Sequence, residues 1–180
     1  MIFLSRRILT VYDRDEIVEL DPETERNVTM AGVVLREPER KWYELGGLFV
    51  STIIDSNDRN GQFGMAELRG RRGCKAPPHI HTREIDELFV VLTGQLTLHC
   101  GEDVHTLNGG DEIILPRNIV HWFEITGEIA YWHALYWPGG YEHFFPEVGK
   151  RTPLVDLPEP SEVDPDALRG KAEKYGVIYL

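Results

Sequence analysis

The sequence contains little cysteine and no long apolar run. Only Cys74 and Cys100 are present among its 180 residues, too few for a disulfide framework or for a spaced cysteine metal motif. We therefore expect a reduced, cytoplasmic setting. No apolar stretch approaches the ~18 residues of a membrane-spanning helix, and the first residues lack the pattern of a signal peptide. We expect no membrane partner.

Positive charge is also scarce. The chain has 30 acidic and 19 basic residues, which gives a formal net charge of -11. The arginines of residues 69–72 form only a short cluster and not a basic stripe. Since nucleic-acid binding requires such a stripe, we expect no nucleic-acid partner. The excess of acidic residues is typical of a protein that is kept in solution by its charge.

Turn-forming residues are abundant and indicate a β-rich fold. Seventeen glycines and eleven prolines accompany a hydrophobic content of 42%, which is enough for a real core. About eight short apolar segments alternate with turn signals between residues 48 and 137, the pattern of a sandwich or a jelly-roll barrel. Turns are expected at Asn60-Gly61, at Thr93-Gly94 and at residues 108–110.

The flanking segments differ from this region in character. Residues 1–40 are charged and irregular, and we interpret them as an N-terminal arm. Residues 41–150 form the predicted barrel, and residues 151–180 a proline-rich strap followed by a C-terminal helix. For that helix the sequence predicts an N-cap at Asp164, Pro165 in the first turn and an end at Gly176.

Four side chains in the barrel region have the pattern of a metal site. His79 and His81 share one face if they lie on a strand, because strand side chains alternate. Glu87 follows shortly after, and His121 lies at the start of a later strand. Three imidazoles and one carboxylate suit a divalent first-row metal and leave coordination positions open for a substrate.

These residues resemble the two motifs of the cupin superfamily of small β-barrels. The first motif is matched by Gly73, His79, His81, Glu87 and Gly94, and the second by Gly110, Pro116 and His121, with Asn118 at the second glycine position. The resemblance implies a jelly-roll barrel that carries a metal site. Asparagine at position 118 is a mild change, since it tolerates left-handed backbone better than most residues.

One spacing departs from the family motif and leaves alternatives open. Five residues separate His81 from Glu87, one more than the motif allows, so Asp86 is an alternative ligand and Glu84 a more distant one. We favour Glu87 because its spacing to Gly94 is intact. The extra residue then lies in a turn, where insertions cost little.

The remaining histidines and a nearby aromatic stretch are interpreted mainly as structural. His99, His105, His133 and His143 lack the motif spacing, although His133 is considered as a group supporting the pocket. The aromatic stretch is expected to pack mostly in the core and alternatively to form a pocket wall; it comprises Trp122, Trp132, Tyr136 and Trp137.

Residues 45–178 further resemble small bacterial single-cupin proteins of the quercetin 2,3-dioxygenase-like type. The resemblance implies a dioxygenase that cleaves a flavonol-like or other enol or aromatic small molecule, with Glu87 as the catalytic base. The alternatives are a non-oxidative isomerase, cyclase or decarboxylase of secondary metabolism, and a non-catalytic small-molecule binder. Iron, manganese or nickel is favoured, and cobalt, copper or zinc is also compatible. We expect a homodimer, since exposed sheet edges invite pairing.

Overall fold

The computed structural model describes residues 9–13, 16–19, 34–82 and 84–180. The chain divides into two compact units, Met1–Arg36 and Glu37–Leu180. In the first, strand β1 (Leu9–Asp13) pairs antiparallel with β2 (Glu16–Glu19). Most of the predicted N-terminal arm, residues 1–40, lies outside the described residues. The division into arm, barrel and strap therefore stays a prediction.

The second unit is built on one ten-stranded antiparallel sheet. The sheet neighbours run in the order β11-β3-β4-β5-β10-β6-β12, and β7 pairs with β10, β8 and β9. The all-β jelly-roll architecture expected from the sequence is confirmed. The strands are β3 (Trp42–Leu45), β4 (Leu48–Ile54), β5 (Gly64–Arg71), β6 (His79–His81), β7 (Asp86–Cys100), β8 (Asp103–Asn108), β9 (Glu112–Leu115), β10 (His121–Trp137), β11 (Lys150–Thr152) and β12 (Val177–Tyr179).

The core fills the inside of the barrel and is organised by the two longest strands, β7 and β10. Side chains along both strands alternate between buried and half-buried, as expected for strands with one face toward a core. Trp132 is fully buried, and its ring lies against Phe89 and Phe123 at centroid distances of 5.9 and 4.9 Å. These aromatic contacts form an apolar layer beneath the site described below.

The predicted turn at Thr93-Gly94 is wrong, because β7 runs through it as one strand. The first half of β7 pairs with β9 and the second half with β8, while β10 pairs with both halves. Gly94 has a φ of +83°, and a Cβ atom there would lie 1.9 Å from the carbonyl oxygen of Ile129 on β10. The glycine thus permits a close approach of two strands and not a reversal of the chain.

Two short helices lie in the part of the chain that follows β10. Helix α1 covers Phe144–Val148, and helix α2 covers Pro165–Ala172. The predicted N-cap is confirmed, since the Asp164 side chain accepts a hydrogen bond from the backbone N–H of Asp166. Gly176 follows with left-handed backbone and leads into β12. Within the described residues, the helices are too short or too polar to cross a membrane.

The close approach at Gly94 predicts a site-specific loss of stability. Gly94→Ala adds a methyl group against backbone, so we expect the free energy of unfolding to fall by roughly 3 kcal/mol in urea titrations. Gly61→Ala is the matched control, because Gly61 also has a positive φ of +74° but has open space around it. We expect that variant to lose only about 1–2 kcal/mol. Equal losses in the two variants would contradict the assigned strand contact.

Candidate metal centre

Three neighbouring strands bring the four motif side chains together. His79 and His81 point to the same side of β6, Glu87 lies at the start of β7, and His121 opens β10. Their ligand atoms all lie within 4.8 Å of one another. All four side chains are buried, with exposed fractions between 1% and 6%. The alternation on β6 is responsible for the shared face of the two histidines.

Hydrogen bonds to backbone carbonyls fix the orientation of two of the imidazole rings. The ring nitrogen Nδ1 of His79 donates to the carbonyl oxygen of Pro77, and that of His121 donates to the carbonyl of Ile119, both at 2.9 Å. Since a carbonyl oxygen can only accept, each Nδ1 carries the proton and each Nε2 offers a lone pair. Such an arrangement is typical of histidines that ligate a metal.

The carboxylate of Glu87 lies among the imidazole nitrogens. Its Oε2 atom is 3.4 Å from Nε2 of His121 and 3.7 Å from Nε2 of His81. Among the described residues, both ring nitrogens of His81 and Nε2 of His121 are buried without a hydrogen-bond partner. Buried polar atoms without partners are costly, and a cation between them would satisfy the lone pairs. The four residues therefore fit a divalent first-row metal.

Burial keeps the imidazoles in the form that binds metals. It lowers the pKa of His79 to about 3, and the neighbouring His121 adds to the shift. Burial, followed by the nearby His79 and His121, lowers the pKa of His81 well below its usual value of 6.5. Neutral histidine is the metal ligand, so neither side chain needs to lose a proton at neutral pH.

The depressed pKa of His79 predicts that acid destabilises the metal-free protein. Below pH 6.5 the unfolded chain binds a proton at this residue, while the folded chain does not until about pH 3. The contribution of His79 to stability is therefore fully present above pH 6.5. Below that pH, each such buried histidine lowers the free energy of unfolding by roughly 1.4 kcal/mol per pH unit. Urea titrations between pH 7.5 and 5 measure this slope.

His79→Gln should reduce the slope, because glutamine does not titrate. The control is His105→Gln, which removes an exposed histidine on β8 and should leave the slope unchanged. An unchanged pH dependence in His79→Gln would show that the burial of this imidazole does not govern the acid response.

The alternative ligands considered from the sequence lie away from the cluster. Asp86 accepts hydrogen bonds from the backbone N–H and the guanidinium of Arg117, and this arginine lowers its pKa. The Glu84 side chain is 86% exposed. Glu87 is therefore the carboxylate that the structure brings to the histidines. Asn118 has a φ of +63°, the left-handed conformation that its position in the motif suggested.

The histidines outside the motif contact other groups. His99 stacks on Trp122 at a centroid distance of 4.3 Å. The imidazole of His133 lies 3.6 Å from the Glu67 carboxylate and does not line the cavity beside the site. His143 contacts Asp55 and Glu142 in a second group.

That second group is held by backbone contacts. The carboxylate of Glu142, which is fully buried, accepts hydrogen bonds from the backbone N–H groups of Ser56 and Gly140. These bonds tie the segment after β10 to the loop after β4. The group therefore has a structural explanation that needs no ion.

A small cavity adjoins the four-residue site. Its volume is about 50 Å³, compared with roughly 150 Å³ for a protein cavity that holds benzene. Only His79 and Glu87 of the site reach it directly. Apolar and aromatic side chains form most of the remaining wall: Leu45, Leu48, Leu68, Ala76, Pro77, Phe89, Phe123, Tyr136, Tyr141, Phe145, Val163, Leu168 and Tyr179, with Lys75 as the cation.

Among the described residues, three tyrosines contact the site histidines. Two of them were not predicted from the sequence to lie there. Tyr136, expected in the core, is buried, and burial together with the charge of Glu87 raises its pKa well above its usual value. The other two are Tyr141 and Tyr179, whose rings lie against His81 and His79 respectively. The apolar alternation of Val177 and Tyr179 after Gly176 could have predicted a final strand whose tyrosine points inward.

Comparison with known families identifies one matching domain. Residues 71–136 match the family described as Cupin domain. This segment contains all four residues of the candidate site.

Among curated proteins, the chain is similar to quercetin 2,3-dioxygenase from Bacillus subtilis. The two are 30% identical over 97 residues, which is 54% of this chain but only 28% of that relative. The chain thus corresponds to a minor part of the length of that enzyme.

Several solved structures share the fold at low sequence identity. KdgF from Halomonas sp. superposes with a TM-score of 0.54 and 18% identity, over 60% of this chain and 94% of its own. A predicted oxalate decarboxylase from Thermotoga maritima gives a TM-score of 0.55 and 16% identity, over 58% and 98%. The cupin domain of Cnp3 from Schizosaccharomyces pombe gives 0.51 and 12% identity, over 58% and 73%. At these identities the likeness establishes the fold alone.

Proposed function

We propose that the chain, whose residues 71–136 match the Cupin domain family, is a metal-dependent enzyme acting on a small oxygen-bearing molecule. The single observation that carries the proposal is the buried convergence of His79, His81, Glu87 and His121, with lone pairs that no protein donor satisfies among the described residues. These four residues would hold a divalent ion. Iron, manganese and nickel are favoured, and cobalt, copper and zinc suit the same donors.

The proposed reaction begins with the loss of a proton from the substrate. When bound, the metal would polarise a hydroxyl or carbonyl oxygen of an enol-like substrate. Among the described residues, Glu87 is the one acidic group on the cavity wall, and it accepts the hydroxyl proton as general base. The apolar wall keeps water out and strengthens the interactions of charged groups inside.

We further propose that the activity is that of a dioxygenase. Support comes from the 30% identity with quercetin 2,3-dioxygenase over 97 residues and from the similarity of the four site residues to the cupin motifs, with one extra residue before Glu87. The size of the cavity favours a small enol over a flavonol. A cavity about one third of the size that holds benzene admits a flavonol only if the wall moves.

Elemental analysis and oxygen uptake test the proposal. Protein purified without chelator should contain a first-row metal and consume oxygen with an enol substrate. His121→Ala should lower metal affinity by at least the roughly 10–100-fold seen for changes around metal sites, and oxygen uptake should fall with it. The matched control, His105→Ala, removes an exposed histidine and should change neither quantity.

The same assays separate the alternatives. Substrate turnover without oxygen uptake would replace the dioxygenase with a non-oxidative isomerase, cyclase or decarboxylase that uses the same residues. Metal content and turnover that are unchanged in His121→Ala would contradict metal-dependent catalysis. The non-catalytic small-molecule binder predicts instead that no candidate substrate is turned over. The homodimer and the cytoplasmic location expected from the sequence remain predictions.

A further inference from the structure

The cavity contains a pair of tyrosine hydroxyl groups beside the proposed metal ligands. In the sheet, His121 on β10 pairs with His79 on β6, and His79 in turn pairs with Tyr179 on β12. This register sets the Tyr179 ring against the His79 ring at a centroid distance of 5.3 Å. Tyr141, in the short helical turn after β10, lies against His81 at 4.9 Å. Both tyrosines lie outside residues 71–136.

The two hydroxyl groups contact each other and share a single hydrogen bond. Their oxygen atoms are 3.1 Å apart, and the residues are only 3% and 5% exposed. Both side chains line the cavity together with His79 and Glu87. One hydroxyl hydrogen is used between the two oxygens. The other has no protein acceptor among the described residues, in a wall that is otherwise mostly apolar.

We propose that the Tyr141–Tyr179 hydroxyl pair binds a second oxygen function of the substrate, separate from the oxygen group that faces the four-residue site. The inference rests on the proposed metal-dependent function and narrows its substrate class. A ligand with a single oxygen function offers a partner to only one of the two places, whereas a small hydroxycarboxylate or hydroxyketone offers two oxygen functions on adjacent carbons. Such a ligand satisfies the unused hydroxyl hydrogen without a second charge in the cavity.

A purely structural role for the pair makes a different prediction. The bond between the two hydroxyls also ties β12 to the segment after β10, so its removal lowers stability in either case. A structural role would weaken all ligands equally. A binding role weakens only those ligands that carry the second oxygen function, and selectivity between two ligands is therefore the decisive measurement.

The test uses the whole 180-residue chain loaded with cobalt, whose visible absorption reports both metal binding and ligand binding. Acetate and glycolate are the probes, since glycolate differs by one added hydroxyl group. Dissociation constants are measured for the wild type and for the double variant Tyr141→Phe with Tyr179→Phe. We expect the wild type to prefer glycolate and the double variant to lose roughly three- to tenfold of that preference.

Single variants and a control keep the result interpretable if the double variant does not fold. At least one of Tyr141→Phe and Tyr179→Phe must remove the ligand-facing hydroxyl and lower the preference. The control is Tyr175→Phe, because the Tyr175 hydroxyl donates to Glu147 on the surface. This variant should retain the preference for glycolate. The proposal is overturned if the wild type shows no preference for glycolate, or if the variants keep it. Failure of the wild type to bind cobalt would instead reject the metal site itself.

Discussion

Three imidazoles and one carboxylate are buried away from water, and the rest of the barrel has to compensate for the cost of burying them. Ring nitrogens of His81 and His121 are buried without protein partners among the described residues, which is unfavourable unless something else satisfies them. The backbone carbonyls at Pro77 and Ile119 turn two rings so that their lone pairs face inward. A divalent cation placed among the four side chains would satisfy these nitrogen atoms.

The surrounding architecture protects this cluster from water. Strands β6, β7 and β10 supply the four side chains, while the apolar layer around Trp132 lies beneath them. The chain then returns after α2, and β12 pairs with β6 so that Tyr179 lies opposite His79. Val163, just before helix α2, and Leu168, within it, contribute to the cavity wall. Segments outside residues 71–136 thus contribute to the wall of the cavity beside the proposed metal ligands.

Short sequence patterns correctly predicted the structural features that depend only on neighbouring residues. The alternation in His79-Ile80-His81 gave a shared face, and Asp164 with Pro165 gave the start of α2. The intact spacing between Glu87 and Gly94 selected Glu87 over Asp86. The turn at Gly94 was mispredicted because the same glycine permits a reversal or a close strand approach. Which of the two occurs depends on β10, whose position is not encoded locally. Tyr141 and Tyr179 were missed for the same reason, since 38 residues separate them.

X-ray absorption spectroscopy of metal-loaded protein tests the central claim most directly, because it reports the ligand atoms themselves. The account predicts a first shell of nitrogen and oxygen atoms without sulfur, with outer-shell scattering from three imidazole rings. It also predicts that Glu87→Gln alters the oxygen contribution, while Asp86→Asn leaves the spectrum unchanged. A spectrum with one imidazole or none, or with sulfur from Cys74 or Cys100, would contradict the assignment of His79, His81, Glu87 and His121 as a metal centre.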